Sequence, residues 1–258
     1  MKLFLINLDR RPDRLRRMTE ILDGLDLPFT RIPAVDGMQL SMGEVQRWGS
    51  LPPGATACFL SHRDCWKRVV DEALPHAVVL EDDLHLAPDA ASLLCRGDWV
   101  PTEADVVKLE TRLCRTRVDK GVAAVISGRS LHRLRSSHMG TGGYIVARKG
   151  AERLLALSER LEVPVDHFMF NSGLSSATSL TTFQLVPAVC VQDSYIGRPS
   201  MVLGIESDLL DERPPVKPRG IRKFWRELKR PFLQFSGFVQ RGASVLLTDK
   251  KWVFVKFA

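Results

Sequence analysis

Apolar residues along this chain follow two rhythms. Residues 2–8 (KLFLINL) form a short continuous apolar run, the pattern of a strand buried on both faces, and a charged turn with Pro12 follows. From Asp13 the spacing changes: Leu15, Met18, Ile21 and Leu22 fall at helical intervals until Gly24. Phe29 to Val35 reads as a second strand, closed by the turn dipeptide Asp36-Gly37, and residues 48–54 (WGSLPPG) read as a loop. Phe59, Trp66, Val70 and Ala73 then share one helical face, which Pro75 ends. Ala77-Val78-Val79-Leu80 is another buried-strand run and leads straight into Glu81-Asp82-Asp83. Asp105 to Leu109 repeats that pattern with Glu110 at its end. Gly143 to Ala147 repeats it again before an amphipathic helix over about 149–161, and Phe183 to Val191 is the last strand region.

Strands alternating with helices predict an α/β fold on a mostly parallel sheet. Arg115 to Met139 has six basic residues, one acid and little periodicity, and reads as a long loop or hairpin. Beyond Asp211 the chain becomes ERPPVKPRG, a linker composition. The expected division is one α/β domain over 1–211, then a proline-rich linker and basic segment over 212–258. In that segment Ile221, Phe224, Trp225 and Leu228 fall at i, i+3, i+4 and i+7 among Arg222, Lys223, Arg226, Lys229 and Arg230. A basic amphipathic helix of this kind suits an anionic membrane surface, which predicts a peripheral attachment through residues 216–258.

Composition changes the picture in three places. An apolar content of 45% with 26% charged residues belongs to a folded chain rather than a disordered one. Residues 216–258 carry eleven Lys and Arg against two acids, so the net +7 is a property of the tail, and the other 215 residues sum to −2. The tail's aromatics lie on the apolar side of its presumed helix rather than interleaved for base stacking, which argues against nucleic acid as a partner. The five cysteines form no CxxC pair, and the opening MKLFLINLDRR has too short an apolar run for a secretory signal. No stretch reads as a membrane span, so the expected location is cytoplasmic, on the inner face of the membrane.

The most informative local feature is Glu81-Asp82-Asp83. Three adjacent carboxylates repel one another and are costly to bury without a cation. Hard divalent ions are held by one or two carboxylates plus phosphates, and α/β sheets bind ligands beyond the carboxyl ends of their strands. A solvated acidic turn is the alternative. The arginine-dense exit from the first strand, residues 6–14 (INLDRRPDR), suits phosphate contact or a solvated helix start. In residues 57–62 (ACFLSH), His62 precedes Trp66 by four positions, a spacing equally at home in a structural helix.

Taken in order, INLDRRPDR, CFLSHRDCW, VVLEDD, VVKLE, GTGGYIVARKGAERLL and PVDHFMF resemble the family 25 glycosyltransferases, the lipopolysaccharide and lipooligosaccharide transferases of bacteria related to the collagen galactosyltransferases. The resemblance runs over roughly residues 2–198 and stops short of the basic tail. It implies a GT-A-like (Rossmann-like) domain and a UDP-sugar donor, usually UDP-galactose. It also implies inverting transfer to a glycolipid or oligosaccharide acceptor, assisted by Mn²⁺ or Mg²⁺. Glu81-Asp82-Asp83 then stands in place of a DxD-type metal motif, with Asp83 the first ligand and Asp82 the second. Asn7, Leu8, Arg11 and Arg14 would border the donor nucleotide, joined by Ser61, His62, Glu81, Asp82, Gly142 and Gly143.

Inverting transfer is a single in-line displacement and needs a base for the acceptor hydroxyl. Asp166, in Pro164-Val165-Asp166-His167, is the first candidate and Glu110 the second; Asp166 could instead cap a helix beginning at His167. A sugar nucleotidyltransferase is a rival reading, opposed by the lack of a glycine-rich phosphate loop after the first strand. A non-catalytic membrane-surface module on a transferase fold is another, opposed by the intact acidic triplet and Asp166.

Overall fold

The computed structural model describes residues 1–196 and 248–258. The first half runs β1 (Lys2–Asn7), α1 (Pro12–Gly24), β2 (Thr30–Pro33), α2 (Met42–Trp48), α3 (Pro53–Asp71), β3 (His76–Glu81), β4 (Leu84–Leu86) and α4 (Ala90–Leu94). Then come β5 (Val106–Lys108), β6 (Glu110–Thr111), β7 (Arg115–Asp119), β8 (Ala124–Ile126), β9 (Arg129–Arg133) and β10 (Gly143–Ala147). The remainder is α5 (Arg148–Leu157), α6 (Val165–Phe170), α7 (Ser175–Thr178), β11 (Thr182–Val186), β12 (Cys190–Gln192), α8 (Asp193–Ile196) and β13 (Lys250–Phe254).

Eight strands form the central sheet in the order β2-β1-β3-β10-β5-β11-β9-β8. Six run one way and β10 and β9 run the other, so the sheet is mostly parallel. Because successive strand residues face opposite sides, each apolar run feeds two cores. Leu3, Leu5, Val78, Leu80 and Ile145 pack beneath Met18 and Leu22 of α1 and Leu93 and Leu94 of α4. Phe4, Ile6, Val79, Tyr144 and Val146 pack on the other face with Phe59, Trp66 and Val69 of α3, Leu154 of α5 and Phe168 of α6. This alternation is why strands with almost no polar residues are stable here: both faces are covered.

Two features of the sheet position the site. β1 pairs in parallel with β3, Ile6 beside Glu81, so Asn7 and the acidic triplet emerge together at one edge. β10 runs antiparallel between β3 and β5, Gly143 opposite Leu80, where simple strand–helix alternation predicts a parallel neighbour. That reversal brings the glycine-rich start of β10, rather than its end, to the carboxyl end of β3.

The last strand region divides in two. Pro187, after a cis peptide bond, cannot donate to a ladder; β11 stays in the central sheet and β12 joins β4 and β6 in a small one. Helix α2, inside a stretch given no element from the sequence, starts with a capping box between Ser41 and Glu44. The basic stretch 115–139 contains the hairpin β8–β9 together with β7, whose Thr116 and Val118 are buried.

The end of the chain corrects the expected division into domain and appendage. β13 pairs antiparallel with β7 from Lys250↔Asp119 to Phe254↔Arg115, and Val255 is fully buried. Thr111 Oγ1 donates to the Val255 carbonyl at 2.6 Å, and the Ala188 N–H to that of Lys256 at 2.8 Å. Residues 250–258 therefore belong to the α/β domain, because β7 offers an edge that they complete. The presumed helix at 221–239 and the boundary at 211/212 lie outside the described residues. Among the described residues no helix is long and apolar enough to cross a membrane.

Removing residues 249–258 uncovers the β7 edge and the Val255 pocket. The expected result is a melting temperature lower by roughly 5 °C or more in thermal denaturation; an unchanged melting temperature would show that the strand contributes nothing.

Candidate active site

The parallel ends of β1, β2 and β3 open into one cleft, lined by Asn7, Leu8, Arg14, Ser61, His62, Glu81, Asp82 and Asp83. Five of these come from β1 and β3 or the turns that follow them. Arg14 reaches in from the first turn of α1, and Ser61 and His62 from the sheet-facing side of α3. Ser61 ties the wall together, its hydroxyl donating to the Ala57 carbonyl at 2.8 Å and accepting from the Val35 N–H at 2.9 Å.

The three carboxylates are in different environments. Asp82 is clamped: Asn7 Nδ2 donates to Oδ2 at 2.7 Å and Arg14 Nη1 to Oδ1 at 3.2 Å. Burial still leaves its pKa raised against those two partners. Glu81 is the most fully engaged. Its Oε1 accepts from His62 Nε2 at 3.1 Å and Thr141 Oγ1 at 2.8 Å, and its Oε2 from Gln192 Nε2 at 3.0 Å. Burial pushes Glu81 up, but the hydrogen bond and charge of His62, with Thr141 and Lys108, carry the net shift down. Behind His62, the Trp66 indole donates to the Tyr144 oxygen, which lies 2.9 Å from His62 Nδ1.

Asp83 receives the least. Among the described residues its side chain accepts only from Gln192 Nε2, at 3.4 Å to either oxygen. Burial first, then the charges of Glu81 and Asp82, push its pKa to about 7. A carboxylate in this state is short of positive charge. The donor set fits a hard divalent cation: Asp83 would hold it, with Glu81 or Asp82 beside it. Cys58, His62 and Glu81 also bring their ligand atoms within 4.8 Å of one another. Burial and the nearby charges of Glu81, Asp166 and Asp83 hold the Cys58 thiol well above its ordinary range, so that set would release the thiol proton on taking a metal.

Glu110, the second candidate base, is fully buried and ion-paired at 2.6 Å with Lys108, itself fully buried. Its Oε2 accepts from the Gly142 N–H at 2.9 Å, and Lys108 Nζ donates to the Gly140 carbonyl. The pair holds the glycine turn by its backbone, and Glu110 does not line the cleft. Gly140 sits at φ +97°, and a Cβ on Gly142 would come within 2.5 Å of Glu110 Oε2. Gly142 and Gly143 are therefore glycines because the turn lies against Glu110 and, at Gly143, against Cys190 Sγ; neither lines the cleft.

Arg11 is also outside the cleft. It occupies the N-cap of α1, its guanidinium paired with Asp13 at 2.9 Å, and Arg10 lines the cleft instead. Asp166 stands in the first turn of α6 with Oδ1 accepting from the His167 N–H at 2.8 Å. It does not line the cleft, though it is near enough to Cys58 in the cleft wall and to Tyr195 for its charge to raise both. Two further lining groups were not anticipated. Arg10 pairs with Asp36 at 2.9 Å, so the turn after β2 closes one side; the parallel neighbourhood of β1 and β2 would have revealed it. Gln192 arrives from β12 through the small sheet, and no local signal in the sequence announces it.

The sequence profile of glycosyltransferase family 25 (LPS biosynthesis protein) matches residues 1–169. The chain is similar to the lacto-N-neotetraose biosynthesis glycosyltransferase LgtB of Neisseria meningitidis serogroup A, at 30% identity over 214 residues, 77% of this chain and 76% of that one. It is similar to LgtE of N. meningitidis serogroup B, at 31% identity over 196 residues, 67% and 70% of the two chains. The lipooligosaccharide biosynthesis protein lex-1 of Haemophilus influenzae is 28% identical over 212 residues, 78% of this chain and 67% of that one.

The state of Asp83 has a consequence for stability. With a folded pKa of about 7 against an ordinary 3.8, the folded chain binds more protons than the unfolded one between about pH 4 and 7. Stability from this group therefore falls as the pH rises through that window. Without divalent ions, Asp83→Asn is expected to raise the melting temperature at pH 8, by on the order of 1–3 kcal/mol of stability, and less at pH 5. Melts at the two pH values check this, and a variant no more stable than wild type at pH 8 would contradict it.

Proposed function

The chain belongs to glycosyltransferase family 25, and on that footing we propose that it is a GT-A-like, inverting hexosyltransferase. It takes a hexose, galactose by its resemblance to that family, from a UDP-sugar to a lipooligosaccharide-type glycan. The observation that carries the reading is Asp83, an under-partnered carboxylate among three at the end of β3, facing a cleft that also holds Arg10 and Arg14. The donor diphosphate lies in that cleft, where the two guanidiniums offset charge building on the leaving group. Asp83, with Glu81 or Asp82, holds Mn²⁺ or Mg²⁺, which when bound supplies further stabilisation of the same charge. Asn7 and Arg14 act through Asp82, fixing the turn that aims Asp83.

Asp166 takes the proton from the acceptor hydroxyl as its oxygen bonds to the anomeric carbon. The bond from that carbon to the diphosphate breaks on the opposite side, so configuration inverts and UDP leaves. Its place in the first turn of α6, near enough to the cleft wall for its charge to act on Cys58, supports this assignment. The basic segment before β13 rests on the anionic inner membrane surface and keeps the enzyme near a lipid-linked acceptor.

Three results follow. With a panel of UDP-sugars, wild type releases free UDP with Mn²⁺ or Mg²⁺ but not with EDTA, and Asp83→Ala releases none; metal-independent release would contradict the metal reading. Asp166→Asn keeps donor binding and loses transfer by about 10²-fold or more, and a near-wild-type transfer rate would reduce Asp166 to a helix-end residue. Replacing Arg222, Lys223, Arg226, Lys229 and Arg230 by Gln abolishes sedimentation with phosphatidylglycerol vesicles while leaving β13 in place; undiminished sedimentation would sink the membrane assignment.

A further inference from the structure

A second cavity, of about 310 Å³, is lined by residues of β7, β9, α6 and α7. Arg117, Arg133 and Arg135 line it, with Ser136, Ser172 and Thr178. Strand geometry gathers the three guanidiniums. Arg133 and Arg135 are two apart and so share a face, and the Arg135 N–H donates to the Arg117 carbonyl at 2.8 Å, which sets Arg117 across from Arg135, while Asp119 lies across from Arg133. Like charges opposed in this way are destabilising unless something neutralises them.

Among the described residues only one of the three is ion-paired. Arg135 makes a two-point ion pair with Asp119, at 2.8 and 2.7 Å. Among the described residues neither Arg117 nor Arg133 has a carboxylate within ion-pair distance. Their guanidinium hydrogen bonds go to backbone carbonyls at 3.4 Å, that of Arg135 for Arg117 and that of Leu180 for Arg133, whose guanidinium also lies 5.7 Å over the Phe183 ring; the Nε of each is buried with no hydrogen-bond partner. Burial first, then the charge of Arg135, lower the Arg133 guanidinium, against the weaker opposing charges of Asp105, Asp119 and Glu103. Two guanidiniums thus stand without an ion-pair partner among the described residues beside a cavity edged with hydroxyls, and concave walls of low dielectric concentrate their field.

Nothing in donor binding uses this cavity. It is joined to the site by α6, which carries Asp166 in its first turn and lines the cavity with Met169 and Phe170. Four residues of helix amount to about 6 Å of rise, which is the separation along α6 between Asp166 and this wall of the cavity.

We propose that the Arg117–Arg133 cavity binds a phosphate monoester on the acceptor glycan and so holds the acceptor while its terminal hydroxyl reaches Asp166. The assignment of the bound molecule as an acceptor rests on the transferase reading. A phosphate matches the two guanidiniums that lack an ion-pair partner, whose planar donors engage its oxygens in pairs, and the surrounding hydroxyls complete its hydrogen bonds.

The test is equilibrium binding, by calorimetry on the full chain, of a core oligosaccharide carrying phosphate monoesters and of the same oligosaccharide after alkaline phosphatase. Wild type is expected to prefer the phosphorylated form by on the order of tenfold for each guanidinium, and R117Q/R133Q to bind the two forms alike. Inorganic phosphate should compete with the phosphorylated glycan for wild type, a measurement that needs no variant to fold. Equal binding of the two forms by wild type, or a preference kept in R117Q/R133Q, overturns the proposal. So does a variant that loses phosphatidylglycerol vesicles and keeps the glycan preference, which would make the cavity a lipid headgroup site. Failure of the transferase reading shows separately, as a wild type that binds the glycan but forms no product with any UDP-sugar.

Discussion

Three carboxylates in succession at the end of one strand cannot all be buried and ionised without help, and the architecture around β3 is an answer to that constraint. Parallel β1 supplies Asn7 and the turn beyond it supplies Arg14, and together they clamp Asp82. α3 supplies His62, the turn before β10 supplies Thr141, and the small sheet supplies Gln192, all on Glu81. Two of the three charges are thereby met by the protein itself. The third, Asp83, faces the cleft with its pKa near 7 and is available to a cation and the phosphates a cation accompanies.

Beneath this surface lies a second layer of the same argument. Lys108 and Glu110, both without solvent contact, neutralise each other and hold the Gly140–Gly142 turn by its backbone. A buried pair of this sort is a weak source of stability, and its value is in fixing one arrangement. Here the arrangement fixed is the turn carrying Thr141, and hence one of the partners of Glu81. A side chain at Gly142 would strike Glu110, so the glycines are tied to the acidic triplet through two steps of packing rather than through contact with a ligand.

The apolar runs made most of the fold legible, because a strand covered on both faces has little choice but to be continuously apolar; β1, β3, β5 and β10 lie within a residue or two of the predicted positions. Their directions were not legible. A five-residue run such as Gly143 to Ala147 reads the same whichever way it enters the sheet, so the reversal of β10 and its effect on the site stayed hidden. Eight of the candidate site residues line the cleft, five of them because motif residues at or directly after the ends of parallel strands must share an edge. Arg11 and Glu110 went astray where side-chain direction and burial decide: the first faces Asp13 across a helix start, the second turns inward on Lys108. Gln192 depends on the pairing of β12 with β4 across more than a hundred residues, beyond any local pattern. The capping box at Ser41–Glu44 was readable and would have revealed α2. The docking of residues 250–258 on β7 was masked by the basic composition around them.

The central claim is that the protein satisfies Asp82 and Glu81 and leaves Asp83 for a divalent cation. Electron paramagnetic resonance titration of Mn²⁺ with UDP present tests it directly, since free and bound Mn²⁺ give distinct signals. The account predicts one bound Mn²⁺ per chain in wild type, lost in Asp83→Ala. Unaltered Mn²⁺ binding by that variant would contradict it.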